Sequence, residues 1–468
     1  MNKPKTDELL TIRLTAIPPH WAEESVARLR QQPNIKFLEA NDTQDESLID
    51  VVLHFGTYSE AIKQQYGTGR LGFWFFRFGG QDLEPSIAAK RAAAVGVALE
   101  SSLWAELPDK SRVCLYQSFG HLDAFAIWRG VARTLVKAAC FPERALTRYR
   151  NKGDTSPCTA ESIAISSSPI GSLFAQGVAI ARKIIHKLLF REQWFIVAGK
   201  GQELVPDPSK GAWFLNPPPD SFWADPFPIE RDGRVWILFE VLPFATQCGY
   251  LAAIELFPDG SYGEVQTMLS TGSHLSYPFI FEWQGELYML PEAGASREVT
   301  LWKCEQFPDR WTKASTFLTD TCFTDATLIE YDGLWWLFLT IGEEDGISLN
   351  EELHLYYATT PLGSWTRHHE NPVKSDARNA RPAGNIFYRD GVLYRPAQDC
   401  STAYGKATVL NRIDILNTDS FSETAIARID ADWRVGCSCC HTLSRSENYW
   451  AVDGLQLISR WSGLFRSK

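Results

Sequence analysis

The chain has 468 residues, a formal net charge of −10, 45% hydrophobic and 22% charged content. That length exceeds one ordinary core and calls for two or three domains of a soluble globular protein. The acidic balance excludes a general nucleic-acid binder, which presents a basic field. Ten cysteines at irregular spacing, with no apolar leader after Met1, predict mostly reduced, buried thiols and a cytoplasmic protein.

Residues 1–150 predict an α/β domain. Short apolar strands are expected at 11–17, 35–38 and 50–55, with a helix over 20–32 between the first two. Asp50-Val51-Val52-Leu53-His54-Phe55-Gly56 has the unbroken apolar run of a parallel strand, closed by glycine at the rim. A glycine-bounded aromatic strand follows at 69–80, then a strand at 112–117. A helix is expected over 124–150, with Ile127, Val131, Leu135 and Ala138 on one face. Residues 151–168, rich in Ser, Thr, Pro and Gly, predict a linker.

Residues 171–190 are apolar but contain Arg182, Lys183, His186 and Lys187, too many charges to span a bilayer. Leu173, Ile180, Ile184 and Leu188 recur at helical spacing, giving either a helix packed on a domain or a basic amphipathic helix touching the inner membrane surface.

From residue 222 onward one pattern repeats. Phe222 to Glu240 reads as strand, Asp-Gly hairpin and returning strand, and the pattern recurs over 277–292, 325–338, 383–395 and, more worn, 440–452. Asp225, Tyr277, Asp325, Ala383 and Cys439 mark it at steps of 52, 48, 58 and 56 residues. A period near fifty built on hairpins is the spacing of propeller blades. The strand-like run 193–198 lies outside the five hairpins and is suited to completing the last blade, which removes the open edge. The expected architecture is multidomain: an α/β domain over 1–150, linker and helix over 151–192, and an all-β five-bladed propeller over 193–460.

Innermost propeller strands begin together at one mouth of the central channel. Asp225, Asp325, Tyr277 with His274 before it, Arg381, Asn385 and His441 are therefore expected around one funnel. An aspartate at a strand start also caps its own turn, but two at the same repeat position point to chemistry. Second strands return to that mouth, bringing Glu240 and Glu292; Glu292 is the stronger candidate acid, with Arg297 or Arg395 as competing salt-bridge partners. The expected catalytic set is Asp225, Asp325 and Glu292, with Trp223, His274, Tyr277, Arg381, Asn385, Arg395 and His441 binding substrate. Cys437-Ser438-Cys439-Cys440-His441 lacks the second ligand pair a zinc site needs, so neither metal nor cofactor is expected; a central cation touching His441 is the alternative to buried thiols.

Three resemblances add to this reading. The strand at 50–56 followed by Gly72-Phe73-Trp74-Phe75-Phe76-Arg77-Phe78-Gly79 resembles the amino-terminal domain of formyltransferases. In that family an Asn-x-His pair and a later Asp work on the formyl donor; the pair is absent here, which implies the fold without the reaction. Trp223-Ala224-Asp225-Pro226 resembles the first-blade motif of five-bladed glycosidases acting on furanosides and fructans. That likeness makes Asp225 base or nucleophile and Asp325 the residue that tunes the acid. The family's blade-four glutamate has no counterpart in Arg381-Pro382-Ala383-Gly384-Asn385.

The run over 193–455 is similar to the propeller that precedes the transferase domain of plant glucosamine inositolphosphorylceramide transferases. The similarity is carried by Trp223-Ala224-Asp225-Pro226, Tyr288-Met289-Leu290-Pro291-Glu292 and Leu393-Tyr394-Arg395-Pro396-Ala397-Gln398-Asp399-Cys400. It implies handling of a glycan or glycoconjugate in polysaccharide or glycolipid metabolism. The alternatives are a non-catalytic glycan-recognition module serving a biosynthetic glycosyltransferase, and formyl or acyl transfer to an amino sugar by the amino-terminal domain.

Overall fold

The computed structural model describes residues 8–39, 48–123, 125–152, 188–342 and 346–460. The linker expected at 151–168 and the amphipathic helix expected at 171–190, with its membrane-surface reading, fall outside them apart from 151–152 and 188–190. Among the described residues no helix is long and apolar enough to cross a membrane. The chain divides into two compact units near residue 172.

In the first unit, strands β1 (Leu10–Leu14), β2 (Ile35–Leu38), β3 (Val51–Leu53), β4 (Phe73–Phe78), β5 (Leu99–Glu106) and β6 (Arg112–Gly120) form one sheet in the order β2-β1-β3-β4-β5-β6. The first four are parallel; β5 and β6 are added antiparallel. Helices α1 (His20–Gln31), α3 (Pro85–Val95) and α4 (Ile127–Lys152) bury one face, while α2 (Glu60–Tyr66) contributes to a smaller cluster around Phe73 and Phe75. Burial on both faces explains why β4 reads as Phe-Trp-Phe-Phe-Arg-Phe without alternation. Sequence pattern misses α2, α3 and β5. In β5 the run Leu-Glu-Ser-Ser reads as loop, but Glu100 is buried and accepts the Gly80 N–H at 2.6 Å and the Gln117 amide at 3.2 Å.

The second unit is a five-bladed propeller of antiparallel sheets. Blade one is β9 (Ser221–Arg231), β10 (Arg234–Pro243), β11 (Tyr250–Leu256) and β12 (Gln266–Leu269). Blade two is β13 (Ser276–Trp283), β14 (Glu286–Glu292), β15 (Val299–Gln306) and β16 (Arg310–Phe317). Blade three is β17 (Phe323–Tyr331), β18 (Leu334–Ile341), β19 (Glu352–Ala358) and β20 (Thr366–Arg367), with β21 (Lys374–Ser375) also on β19. Blade four is β22 (Phe387–Arg389), β23 (Val392–Asp399), β24 (Ala407–Asn417) and β25 (Ser420–Ile429).

Blade five joins both ends of the unit. Its inner strands are β26 (Leu443–Arg445) and β27 (Tyr449–Ser459), and its outer strands are β7 (Phe190–Lys200) and β8 (Trp213–Leu215). The β27–β7 ladder runs from Tyr449 opposite Lys200 to Ser459 opposite Phe190. It closes the ring with backbone bonds and leaves β27 without a free edge.

The hairpins turn where the sequence dictates. Asp232-Gly233, Gln284-Gly285, Asp332-Gly333 and Asp390-Gly391 all have positive φ at both central residues, the mirror-image turn that matches strand twist. The fifth hairpin replaces this pair with a longer loop, Ser446-Glu447-Asn448.

Because β7 supplies the closing ladder, a truncation starting at residue 188 should give a monomeric folded propeller. One starting at residue 206 should expose the full length of β27 and aggregate. Size-exclusion chromatography and circular dichroism compare the two, and equal behaviour removes the closure role of β7.

Candidate functional site

The site is built by an irregularity repeated at the start of the inner strands. In β9, β13 and β17 the pairing register slips by one residue, between Leu238 and Glu240, Ser276 and Phe279, and Thr324 and Thr327. The residues at the slips, Asp225, Tyr277 and Asp325, have φ of 53°, 48° and 53°. Such bulges bend a strand and re-aim its side chains. A non-glycine residue in this region costs about 1–2 kcal/mol, so each bulge needs compensation.

Compensation comes from the preceding blade. Asp453 of blade five accepts the Asp225 N–H at 3.2 Å, Asp225 accepts the Tyr277 N–H at 3.2 Å, and Glu292 accepts the Asp325 N–H at 3.1 Å. In blade four, the Gly384 N–H donates to Tyr277 Oη at 2.7 Å, and that hydroxyl also meets Thr327 Oγ1 at 2.8 Å. Acid side chains thus link blades five to one, one to two and two to three around the channel mouth.

Two ionic groups sit on this ring. In the first, Asp225 takes the Thr442 hydroxyl at 3.0 Å and has His441 Nε2 3.4 Å away, while His441 Nδ1 lies 2.7 Å from Asp453 Oδ2. Asp453 also accepts the backbone N–H groups of His441 and Thr442, at 2.9 and 3.1 Å. Trp194 of β7 covers the imidazole at 4.1 Å between ring centroids. Burial, opposed by His441 and reinforced by Asp325 and Asp453, raises the Asp225 pKa to about 6. Burial pulls His441 down, but Asp453 and Asp225 outweigh it and its net shift is upward.

In the second group, Arg381 bonds both oxygens of Asp325 and donates to Asn350 Oδ1 at 2.7 Å; the Gln398 amide adds a bond to Asp325 at 2.9 Å. Glu292 lies 3.7 Å from Arg381 with 14% of its side chain exposed. Its pKa is pushed well above the carboxylate range, first by burial and then by the Asp325 charge, with Arg381 opposing. The partner of Glu292 is thus Arg381, neither Arg297 nor Arg395. Glu240 is the matching acid of blade one: each stands opposite the residue before a bulge, Glu240 opposite Ala224 and Glu292 opposite Ser276. Burial, then Asp225, raises Glu240 as well, and the His274 imidazole, itself shifted down by burial, lies 3.5 Å from it. His274 Nδ1 accepts the Gly249 N–H at 2.9 Å, which leaves Nε2 to carry the proton facing Glu240.

Four residues expected to bind substrate stand elsewhere. Trp223 is packed between Phe239 and Tyr262 in the blade-one core, at centroid distances of 5.0 and 6.3 Å. Tyr277 is fully buried, its hydroxyl tied to blades three and four, so its ring cannot stack on a sugar. Asn385 bonds the backbone of Arg445, with Nδ2 to O at 2.9 Å and Oδ1 to N at 2.8 Å. Arg395 is sequestered in blade four on Glu423, at 2.8 and 2.6 Å, with its other donors on Asn379 and Ala380 carbonyls. A channel-mouth role for these side chains is corrected by the burial of Trp223, Tyr277 and Arg395 and by the backbone bonds that occupy Asn385.

Asp453, Thr442 and Gln398 join the site unforeseen. Asp453 carried a signal: it is a lone charge in the buried run Trp450–Leu455.

Asp225, His441 and Asp453 also form the cluster with metal-ligand chemistry among the described residues, their ligand atoms within 4.8 Å of one another. The 2.7 Å separation of His441 Nδ1 and Asp453 Oδ2 is that of an ion pair in direct contact, and the Asp453 oxygens already accept three backbone N–H groups. The arrangement fits an ion network better than a coordination shell. The Cys437 and Cys439 thiols are pushed up to about 11 and Cys440 well above its usual value, chiefly by burial, which disfavours the thiolates zinc requires.

Comparison with known proteins follows this geometry. A family model, "Glucosamine inositolphosphorylceramide transferase 1, N-terminal", matches residues 215–436. The protein of that name from Oryza sativa subsp. japonica is 36% identical over 211 residues, 44% of this chain and 28% of its own length. The Arabidopsis thaliana protein is 31% identical over the same share. The chain thus spans under a third of these relatives. Among solved structures, a family 117 glycoside hydrolase from Zobellia galactanivorans has 13% identity and TM-score 0.37, covering 57% of this chain and 90% of that one. The catalytic domain of a Coprinopsis cinerea α-L-arabinofuranosidase has 15% identity and TM-score 0.38, covering 57% and 98%.

The ionic ring sets a direction for pH dependence. Asp225 titrates near 6 instead of 3.8, so its contribution to stability is complete below 3.8 and is lost as pH rises through about 6. His441, raised from 6.5, contributes fully below 6.5 and loses that contribution as pH rises through its shifted value. Both signs agree. Glu423 works the other way: Arg395 and Lys374 outweigh its burial and hold it at about 2, so its contribution is lost only as pH falls from 4.5 toward 2. Thermal unfolding should therefore occur at lower temperature at pH 8 than at pH 5, and Asp225→Asn and His441→Gln should each flatten that slope. An unchanged slope in both variants removes these groups as its source.

Proposed function

We propose that the propeller binds a glycan or glycoconjugate at the mouth lined by the bulged strands and processes it by proton transfer, with Glu292 as the acid. One observation carries this reading. Glu292 is partly exposed and favoured in its neutral form, beside an Asp325 held by Arg381. Two adjacent carboxyl groups in opposed environments are how acid and base roles are separated on one site. Asp225, shifted to about 6 and paired with His441, is the base candidate. Asp325 keeps the tuning role suggested by its repeat position, acting on Glu292 by charge. The similarity to proteins named glucosamine inositolphosphorylceramide transferase 1 supports the class of ligand; it covers too little of those proteins to carry over their reaction.

A second reading is favoured by a different observation. Both oxygens of Asp225 and of Asp325 are already bonded to neighbouring blades or side chains, as expected of carboxylates that assemble a recognition module. Glycan-array screening, followed by calorimetry and product analysis, separates the two. Glu292→Gln should keep affinity while turnover falls about 10²–10⁴-fold, the usual worth of positioned proton transfer. A bound glycan that wild type never converts leaves the recognition module, and the absence of any bound glycan removes both readings.

For the amino-terminal unit we infer a formyltransferase-like domain without formyl transfer. Four parallel strands ending in the aromatic β4 support the relation, and Phe73 to Phe78 offers Arg77 where an Asn-x-His pair would work on the donor. Incubation with a formyl-folate donor and a nucleotide-linked amino sugar should give no formylated product. Turnover there makes formyl or acyl transfer the function of this unit.

A further inference from the structure

The inner hairpins of blades three and four lie side by side at the end of the strands away from the bulges. Tyr331, last residue of β17, is six positions beyond Asp325, roughly 20 Å along an extended strand. Its ring faces that of Tyr388 in β22, with centroids 6.3 Å apart and planes inclined by 31°. Tyr388 is 54% exposed, and its ring belongs to none of the buried clusters. Between the two hairpins opens a cleft of about 380 Å³, within the range of small-ligand sites.

The polar side of this cleft is organised in advance. Arg412 Nε donates to Asp414 Oδ1 at 2.7 Å, and Thr424 Oγ1 donates to Asp414 Oδ2 at 2.6 Å, fixing the carboxylate from both sides. Each member keeps access to solvent, with 47% of the Arg412 side chain and 29% of that of Asp414 exposed. Leu393 and Ile413 add an apolar wall. The cleft therefore offers aromatic faces, an apolar wall and a fixed donor–acceptor pair within one small volume.

We propose that this cleft is a glycan-binding subsite separate from the channel mouth, taking one pyranose unit. A pyranose matches the three elements: its C–H face lies on an aromatic ring, and adjacent hydroxyls bond guanidinium and carboxylate together. The inference rests on the glycan reading of the propeller and extends it. Tyr388 supplies the stacking face, Tyr331 sets its inclination from the neighbouring blade, and the Arg412–Asp414 pair selects the hydroxyl pattern.

Saturation-transfer NMR on the full chain tests this with methyl β-glucoside, methyl α-mannoside and methyl β-N-acetylglucosaminide as probes. Wild type should saturate the ring protons of at least one. Tyr388→Ala should weaken that probe about tenfold, the scale of one lost ring contact, and Arg412→Ala should do the same. Tyr388→Phe, which keeps the ring, should bind like wild type. Circular dichroism controls for folding; Tyr388 is exposed enough that its truncation should not disturb the blade. A signal that survives both Tyr388→Ala and Arg412→Ala overturns the cleft and leaves the channel mouth as the site. Failure of every probe to saturate overturns the cleft, while the channel-mouth reading stands or falls separately on array binding and the effect of Glu292→Gln there.

Discussion

The propeller's channel mouth depends on one arrangement: a left-handed residue at the start of an inner strand whose N–H is bonded by an acid from the blade before. Without the acid, the bulge would leave a buried N–H unpaired, at about 1–3 kcal/mol beyond its conformational strain. Without the bulge, Asp225 and Asp325 would keep the strict alternation of their strands, and neither would be re-aimed. Asp225 therefore orders the Tyr277 backbone while its own N–H is held by Asp453, and Glu292 does the same for Asp325. The same bonds join consecutive blades, so the geometry of the mouth and the integrity of the ring share one set of residues.

Concentrating acids in this way has an electrostatic consequence. Asp225, Asp325, Asp453, Glu240 and Glu292 share a buried region whose nearby cationic partners are Arg381 and His441. Buried charge without full compensation shifts toward the neutral form instead of remaining ionised. The upward shifts of Glu240, Glu292 and Asp225 are that response. Asp325 and Asp453 hold the strongest hydrogen-bond sets, Arg381 with Gln398 on one and backbone N–H groups on the other. The upward shifts thus fall on acids whose burial no cation or donor fully offsets.

Much of this fold was legible. The Asp-Gly and Gln-Gly pairs demand positive φ, and their spacing near fifty residues locates four hairpins without tertiary information. The strand at 193–198 followed from ring closure, although its ladder extends from Phe190 to Lys200. The convergence of Asp225, Asp325, Arg381 and His441 followed from the common mouth at which inner strands begin, and that of Glu292 from the second strand returning to it. What sequence could not supply was the third dimension of burial. Arg395 and Arg381 are both arginines near inner strands; only β25, which carries Glu423, turns one into a core ion pair. Burial also separates the aromatics: Trp223, next to Asp225 in the first-blade motif, is core, whereas Tyr388 in the fourth hairpin is open to solvent.

Blade four explains why the mouth is chemically lopsided. At the position matching Asp225 and Asp325 stand Ala383 and Gly384, and a Cβ built on Gly384 would come within 2.0 Å of the Leu443 carbonyl, at a φ of 127°. The Tyr277 hydroxyl fills what remains by bonding both Gly384 N and O. The absence of an acid there is therefore more than a lost side chain. Blade five packs against the backbone of blade four there and the blade-two tyrosine occupies the gap, so Gly384→Glu would have no space for its side chain. Of the second-strand acids at this mouth, Glu292 combines partial exposure with contact to the Arg381–Asp325 pair, whereas Glu240 is buried against His274.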